Sequence, residues 1–187
     1  DPENGTCHEG GSLAFGPDGC LYVTDMYRGI IQDAPWFNEG NREFARRTGV
    51  NKHIQMGRIW RIRHQDHRPY QEKPQMLSES TEELVRHLQN PIGWWRDTAQ
   101  KLILLRNDRE KAIPLLEGLF RFTQSPLSRI HALWTLDGMH AITPEIKKEA
   151  LMDRAAEIRR AMVQIIEPGL PEEVDLLLPL ENERDPR

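Results

Sequence analysis

Three residues that could do chemistry stand close together where a predicted strand ends. Asp25 closes an alternating run, and Tyr27 and Arg28 follow it in a predicted loop. An aspartate could bind a cation or orient a base, and an arginine could hold an anionic cofactor or substrate. A purely structural interpretation stays open, in which Asp25 caps a turn and Arg28 pairs with it. Loops on rigid scaffolds often carry function, so this segment is a candidate site.

Two cysteines and a histidine offer a second kind of chemistry. Cys7 and Cys20 could form a disulfide in an oxidising compartment, or both could be free thiols with Cys20 packed in a strand. Cys7 precedes His8 directly, but the haem-attachment signature C-x-x-C-H is absent. A metal site built from these three residues would lack a fourth ligand at ordinary spacing. We therefore expect neither haem nor metal in this chain.

The residues around Asp25 indicate a small antiparallel sheet. The first strand is predicted at residues 12–15 and the second at residues 20–24, with a Gly-Pro-Asp-Gly turn between them. Residues 57–63 alternate in the same way and form the third predicted strand. A sheet of this size is marginal by itself. We expect it to be covered by helices or by another chain.

The chain divides into two predicted domains. A loop of about 30 residues, far above the usual 4–6, separates the second and third strands, and residues 36–47 could form a short helix within it. Polar and proline-rich residues at 67–79 predict a linker. The predicted organisation is therefore a sheet domain at residues 1–66, the linker, and a helical domain at residues 80–187.

The helical half contains an internal repeat. Ser80 and Glu83 predict a capping box at its first helix. The segments WRDTAQKLILL (95–105), SRIHALWTLDG (128–138) and EIRRAMVQIIE (157–167) share a basic residue, a small residue and apolar positions at helical spacing. Ala99, Ala132 and Ala161 align, 33 and 29 residues apart, and are predicted to be equivalent buried sites. A period near 30 with two helices per unit predicts a helical solenoid.

Other conspicuous residues of the helical half have a structural interpretation. Trp94, Trp95 and Trp134 lie at helical spacing, which favours core packing over a ligand box. Arg129 and Asp137 are expected to form an inter-helix ion pair.

Composition excludes several classes of partner. The formal net charge is −4, with acids and bases mixed along the chain, which argues against nucleic acid as a partner. No apolar run approaches the roughly 18 residues of a membrane span.

The chain begins at Asp1 without a methionine and ends on Glu-Arg-Asp-Pro-Arg. We expect it to be a piece of a longer polypeptide.

Four segments carry a family resemblance: GPDGCLYVTDMYRGII (16–31), GRIWRI (57–62), NPIGWWRDTAQKLILLRND (90–108) and SPLSRIHALWTLDG (125–138). Together they resemble the C-terminal part of the membrane-bound dehydrogenases of the sorbosone/glucose dehydrogenase-like type. That family joins a β-propeller to HEAT repeats, and often to a cytochrome c domain whose C-x-x-C-H motif this sequence lacks. The repeats by themselves are similar to HEAT repeats, whose second helix often carries a basic residue shortly before a small core residue.

The resemblance implies a fold of the α+β class. A partial β-propeller blade of about three antiparallel strands would be followed by an α-helical HEAT-like solenoid. It also implies a ligand site at the mouth of the propeller, with His8, Glu9, Asp25, Tyr27 and Arg28 as the candidate residues.

The function implied for this chain is that of a propeller–HEAT piece whose HEAT part is a protein-binding scaffold. The alternative is part of a sugar or alcohol dehydrogenase with a quinone cofactor at the propeller mouth. The parent could be an enzyme, but we expect these residues to be inactive alone. The implied partners are another protein or the remaining propeller and cytochrome parts, and the implied location is periplasmic or extracellular.

Overall fold

The computed structural model describes residues 12–27, 35, 38–52, 54–166 and 175–177. The chain divides into two compact units, a sheet unit at residues 1–72 and a helical unit at residues 73–187. Of the sites named above, Cys7, His8, Glu9 and Arg28 lie outside the described residues.

The sheet unit contains the predicted three-stranded antiparallel sheet, which is confirmed. Strand β1 runs over Leu13–Phe15, β2 over Leu21–Asp25 and β3 over Arg58–Ile62, in the order β1-β2-β3. The turn before β2 is closed by the N–H of Gly19, which donates to the carbonyl of Gly16 over 3.0 Å, with Gly19 at φ 78°. Such a positive φ costs glycine little, which is why this residue type suits the turn.

The long connection between β2 and β3 has helical structure of its own. Helix α1 covers Glu39–Thr48, slightly later than the predicted 36–47, and a 3-10 turn follows at Val50–Lys52. The shift has a local cause: the Asn38 side chain accepts the N–H of Asn41 over 2.8 Å and so caps the helix start.

The helical unit contains six helices whose bounds the structure describes: α2 (Thr81–His87), α3 (Gly93–Arg106), α4 (Arg109–Phe122), α5 (Pro126–Gly138), α6 (Pro144–Leu151) and α7 (Ala156–Ile165). The capping box at the start of α2 is confirmed, because Ser80 and Glu83 each bind the other's backbone N–H. Consecutive helices pack as the pairs α2–α3, α4–α5 and α6–α7. The second helices also contact each other, α3 with α5 and α5 with α7.

One continuous core runs through the helical unit. The third and seventh residues of α3, α5 and α7 are all buried: Trp95 and Ala99, Ser128 and Ala132, Ile158 and Met162. Trp94 and Trp134 are only partly buried, whereas Trp95 is fully enclosed. Because these positions are four residues apart, they form one stripe along each helix.

An arginine is the fourth residue of α3, α5 and α7. Nη1 of Arg96 donates to the carbonyl oxygens of Asn90 (2.6 Å) and Pro91 (2.9 Å), just before its own helix. Nη1 of Arg159 donates in the same way to the carbonyl of Asp153 over 2.7 Å. Both arginines therefore reach back six residues to the loop that leads into their helix.

Arg129 pairs with a different acid from the one that we expected. Its guanidinium binds the carboxylate of Asp153, and its Nε donates to the carbonyl of Phe120 over 2.8 Å. The predicted partner Asp137 lies on the same helix eight residues later, which is about 12 Å along the axis. The observed pair instead joins α5 to the entrance of α7.

The three aligned alanines are buried, but their alignment is one residue out in the last repeat. Ala99 and Ala132 are the seventh residues of α3 and α5, whereas the seventh residue of α7 is Met162 and Ala161 is the sixth. The three arginines are 33 and 30 residues apart, whereas the three aligned alanines are 33 and 29 residues apart. Each of the three arginines donates to backbone carbonyls, so they mark equivalent positions in the three helices.

Residues 67–79, predicted to be a linker, are divided between the two units. In the sheet unit, the N–H of Tyr70 donates to the carbonyl of Asp18 over 3.2 Å. In the helical unit, Met76 is buried and its carbonyl accepts Nη2 of Arg106 over 2.8 Å. The boundary between the two units falls within this segment, between residues 72 and 73.

Candidate functional site

Asp25 is the centre of a cluster at the end of β2. Its Oδ1 accepts the backbone N–H of Tyr27 over 2.9 Å. Its Oδ2 accepts Nη2 of Arg58 over 3.1 Å, Nε of Arg58 over 3.3 Å and Nε1 of Trp60 over 3.0 Å. Both carboxylate oxygens are therefore engaged.

The strand register explains why these side chains meet. Asp25 lies opposite Arg58, and Val23 lies opposite Trp60, so all four point to one face of the sheet. The chain turns sharply after β2, with Tyr27 at φ 40°, a left-handed conformation that is uncommon for a residue with a side chain. This turn brings the Tyr27 ring to the same guanidinium.

Two aromatic rings lie against Arg58. Its guanidinium carbon is 4.4 Å from the ring centroid of Tyr27 and 5.0 Å from that of Trp60. Both distances are within the range of cation–π attraction. Tyr27 and Trp60 are 44% and 50% exposed, so the cluster is open to solvent. Arg58 is held in one orientation by a carboxylate and two rings together.

The electrostatics of the cluster favour an ionised Asp25. The hydrogen bond from Trp60 is the largest cause that lowers the pKa of Asp25, and the Tyr27 N–H and Arg58 lower it further. A carboxylate with a lowered pKa and occupied oxygens is a weak proton acceptor. In this structure Asp25 accepts hydrogen bonds from Arg58 and Trp60 and so orients both side chains.

The structure brings together two of the five predicted site residues. Asp25 and Tyr27 are in the cluster, while the other three lie outside the described residues. Arg58 and Trp60 were missed by sequence reasoning, although one signal could have indicated them. They are two residues apart in an alternating strand and therefore share a face. What the sequence does not show is which residues of β3 share a face of the sheet with Asp25.

A second carboxylate, Asp18, accepts several hydrogen bonds within the sheet unit. Its Oδ1 accepts the N–H of Cys20 over 3.0 Å, and its Oδ2 accepts Nε of Arg61 (2.7 Å) and the hydroxyl of Tyr22 (3.1 Å). Burial alone would raise the pKa of Asp18, but the hydrogen bonds from Cys20, Arg61 and Tyr22 lower it to about 2. Asp18 therefore has a structural role.

The face of the sheet that carries the cluster is apolar and exposed. Leu13 and Phe15 lie on this face, opposite Val23 and Leu21 of β2. Leu13 is 68% exposed and Phe15 is 62% exposed. Ile62 is also half-exposed. Side chains of this kind are normally covered when a sheet packs against another layer.

The helical unit has a groove between α2 and α4. It encloses about 450 Å³, and Phe122 at its rim is 81% exposed. The groove is lined by Glu82, Val85, Arg86, Gln89, Leu115, Gly118, Leu119, Phe122 and Thr123.

Other types of site find little support in the described part of the chain. Cys20 is buried and free. No group of three histidine, cysteine, aspartate or glutamate side chains there could hold a metal ion. None of the helices described is long and apolar enough to cross a membrane.

Comparison with known proteins finds one family match. Residues 11–66 match a family described as a domain of unknown function (DUF7133). No curated protein and no solved structure matches the chain. The matched segment contains all three strands and α1, so it corresponds to most of the sheet unit and does not include the helical unit.

Proposed function

We propose that the helical unit is a HEAT-like scaffold that binds protein, within a propeller–HEAT polypeptide of the sorbosone/glucose dehydrogenase-like type. The observation that carries this proposal is the repeated construction of α3, α5 and α7. Each has buried third and seventh residues and an arginine as its fourth residue. Stacked helix pairs of this kind present extended surfaces, which repeat proteins commonly use for binding.

The groove between α2 and α4 is the surface that we assign to the partner. Both of its helices are the first members of their pairs, and they contact each other directly. Phe122 and Leu115 offer apolar contact area, while Glu82 and Arg86 offer charged groups at the sides. An apolar centre with a polar rim is the usual composition of a protein interface.

In this proposal the sheet unit is a partial propeller blade. The exposed apolar face of β1, β2 and β3 supports it, because neighbouring blades of a propeller cover such faces. The dehydrogenase alternative gains no support from Asp25, whose two oxygens already accept hydrogen bonds. A quinone cofactor and a periplasmic or extracellular location stay predictions.

The scaffold proposal can be tested by a peptide-display selection on the whole chain. Enriched peptides would then be titrated by calorimetry against the wild type, Phe122→Asp and Leu105→Asp. The two positions are a matched pair, because Phe122 is 81% exposed on α4 and Leu105 is 79% exposed on α3. We expect Phe122→Asp to weaken binding by about tenfold or more, as for a truncated interface anchor.

The control variant decides how the result is interpreted. Leu105→Asp should bind the same peptides as the wild type. Equal loss in both variants would indicate nonspecific hydrophobic capture, and failure to select any peptide that depends on Phe122 would contradict the proposed surface.

A further inference from the structure

Within the part of the chain that the structure describes, one edge of the Arg58 guanidinium has no partner. Asp25 Oδ2 accepts from Nε and from Nη2, which uses the side edge of the group. The described residues provide no acceptor for the end edge, formed by Nη1 and the second N–H of Nη2. The Arg58 side chain is 45% exposed, so this edge can be reached from solvent.

Arg58 is also oriented before any ligand arrives. A free arginine side chain loses considerable rotamer freedom when it binds, and this cost lowers affinity. Here Asp25, Tyr27 and Trp60 already fix the guanidinium. The turn after β2, with Tyr27 in a left-handed conformation, is part of that arrangement. Sparsely populated backbone conformations of this kind cluster at ligand-binding sites.

We propose that the end edge of Arg58 binds a carboxylate attached to an apolar body. Two parallel N–H donors match the two oxygens of a carboxylate. The half-exposed residues Tyr27 and Trp60 lie against the same guanidinium, with ring centroids 4.4 and 5.0 Å from its carbon, and can contact the apolar part of the ligand. Because Asp25 balances the charge of Arg58, the site favours a single negative charge with the right geometry over a dianion. This site is independent of the scaffold proposed for the helical unit.

The test uses the full chain and NMR titration of the Trp60 indole N–H and the Arg58 Nε–H signals. The probes are hexanoate, acetate, inorganic phosphate and a blocked Leu-Glu-Leu peptide. We expect saturable shifts with hexanoate or the peptide, and weaker binding of acetate and phosphate. Tighter binding of hexanoate would indicate a small-molecule acid, and tighter binding of the peptide would indicate an acidic side chain of a protein.

Three variants separate geometry from charge. Arg58→Gln should weaken binding by about tenfold or more, because it loses a charge-assisted pair of hydrogen bonds. Arg58→Lys keeps a cation beside Asp25 and is therefore expected to fold like the wild type. It loses the planar pair of donors and should also bind more weakly. Arg63→Gln, an exposed arginine just after β3, should bind like the wild type.

Several results would overturn the proposal. They are the absence of any saturable shift, equal loss in Arg63→Gln, wild-type affinity in Arg58→Lys, and phosphate binding as tight as that of hexanoate.

Discussion

Each of the two units of this chain is stabilised by a different kind of internal contact. In the helical unit, large side chains such as Trp95, Phe120 and Leu136 are completely buried. Among the described residues of the sheet unit, only Gly16, Cys20 and Ala45 are buried, and all three are small. The sheet unit relies on directional polar contacts to Asp18 and Asp25. A core of large apolar residues stabilises the helical unit, whereas the sheet unit leaves Leu13, Phe15 and Ile62 exposed.

The largest expected contrast is between two tryptophans. Trp95 is fully buried in the helical unit, and Trp60 is half-exposed in the sheet unit. Trp95→Ala should lower the free energy of unfolding by about 3–5 kcal/mol, because it leaves a cavity in the core. Trp60→Ala loses one exposed hydrogen bond and a ring contact, and should cost about 1 kcal/mol. Guanidinium denaturation followed by circular dichroism would measure both, and equal losses would contradict the contrast.

Two ion pairs give the next contrast. Arg129 and Asp153 are mostly buried, whereas Arg58 and Asp25 are partly exposed. Arg129→Gln leaves Asp153 buried without its partner and should cost about 3 kcal/mol. Arg58→Gln should cost less than about 1 kcal/mol. Urea denaturation, which adds no ions, would measure both variants, and addition of 1 M salt as a control should affect only the exposed pair.

Two glycines should respond with opposite signs. A Cβ at Gly16 would lie 2.4 Å from Cε2 of Tyr22, whereas a Cβ at Gly118, within α4, would have nothing within 4 Å. Gly16→Ala should destabilise the sheet unit by about 1–3 kcal/mol through overpacking. Gly118→Ala should stabilise the helical unit by about 0.5–1 kcal/mol, because alanine has the higher helix propensity. Thermal unfolding of the two variants would show whether the signs differ.

Acid should affect the network around Asp18. The folded-state pKa of Asp18 is about 2, below its ordinary value of 3.8. Its contribution to stability is therefore present above about pH 4 and is lost as the pH falls towards 2. The amide signal of Cys20, which donates to Asp18, should move over this range in an NMR titration. Asp18→Asn should abolish the effect, and Asp66→Asn, at an exposed site, should leave it unchanged.

Sequence reasoning recovered the local features of both units. Alternation predicted the strands, helical periodicity predicted the helices, and the Ser80–Glu83 capping box is a signal that lies within four residues. The missed contacts are long-range. Asp25 and Arg58 are separated by the connection between β2 and β3, and the sequence alone does not give the register across it.

The helical unit illustrates the same limit. The small residues of the repeat can be recognised in the sequence. The carbonyls that Arg96 and Arg159 bind cannot, because every residue has a backbone carbonyl whatever its type. The partner of Arg129 was missed since Asp153 belongs to the next helix pair. Periodicity indicates that a helix has a buried face, but long-range contacts determine which residues share it.

Native-state hydrogen exchange on the full chain tests the difference between the two units most directly. The amide of Ala132 lies in the buried stripe of α5, and the amide of Thr24 in β2 donates to the carbonyl of Ser12 over 2.9 Å at the end of the β1–β2 pairing. Corrected for intrinsic rates, Ala132 should exchange at least about a hundredfold more slowly than Thr24, because the sheet opens without global unfolding. Protection of Thr24 equal to that of Ala132 would show that the sheet unit is as stable as the helical core and needs no further cover.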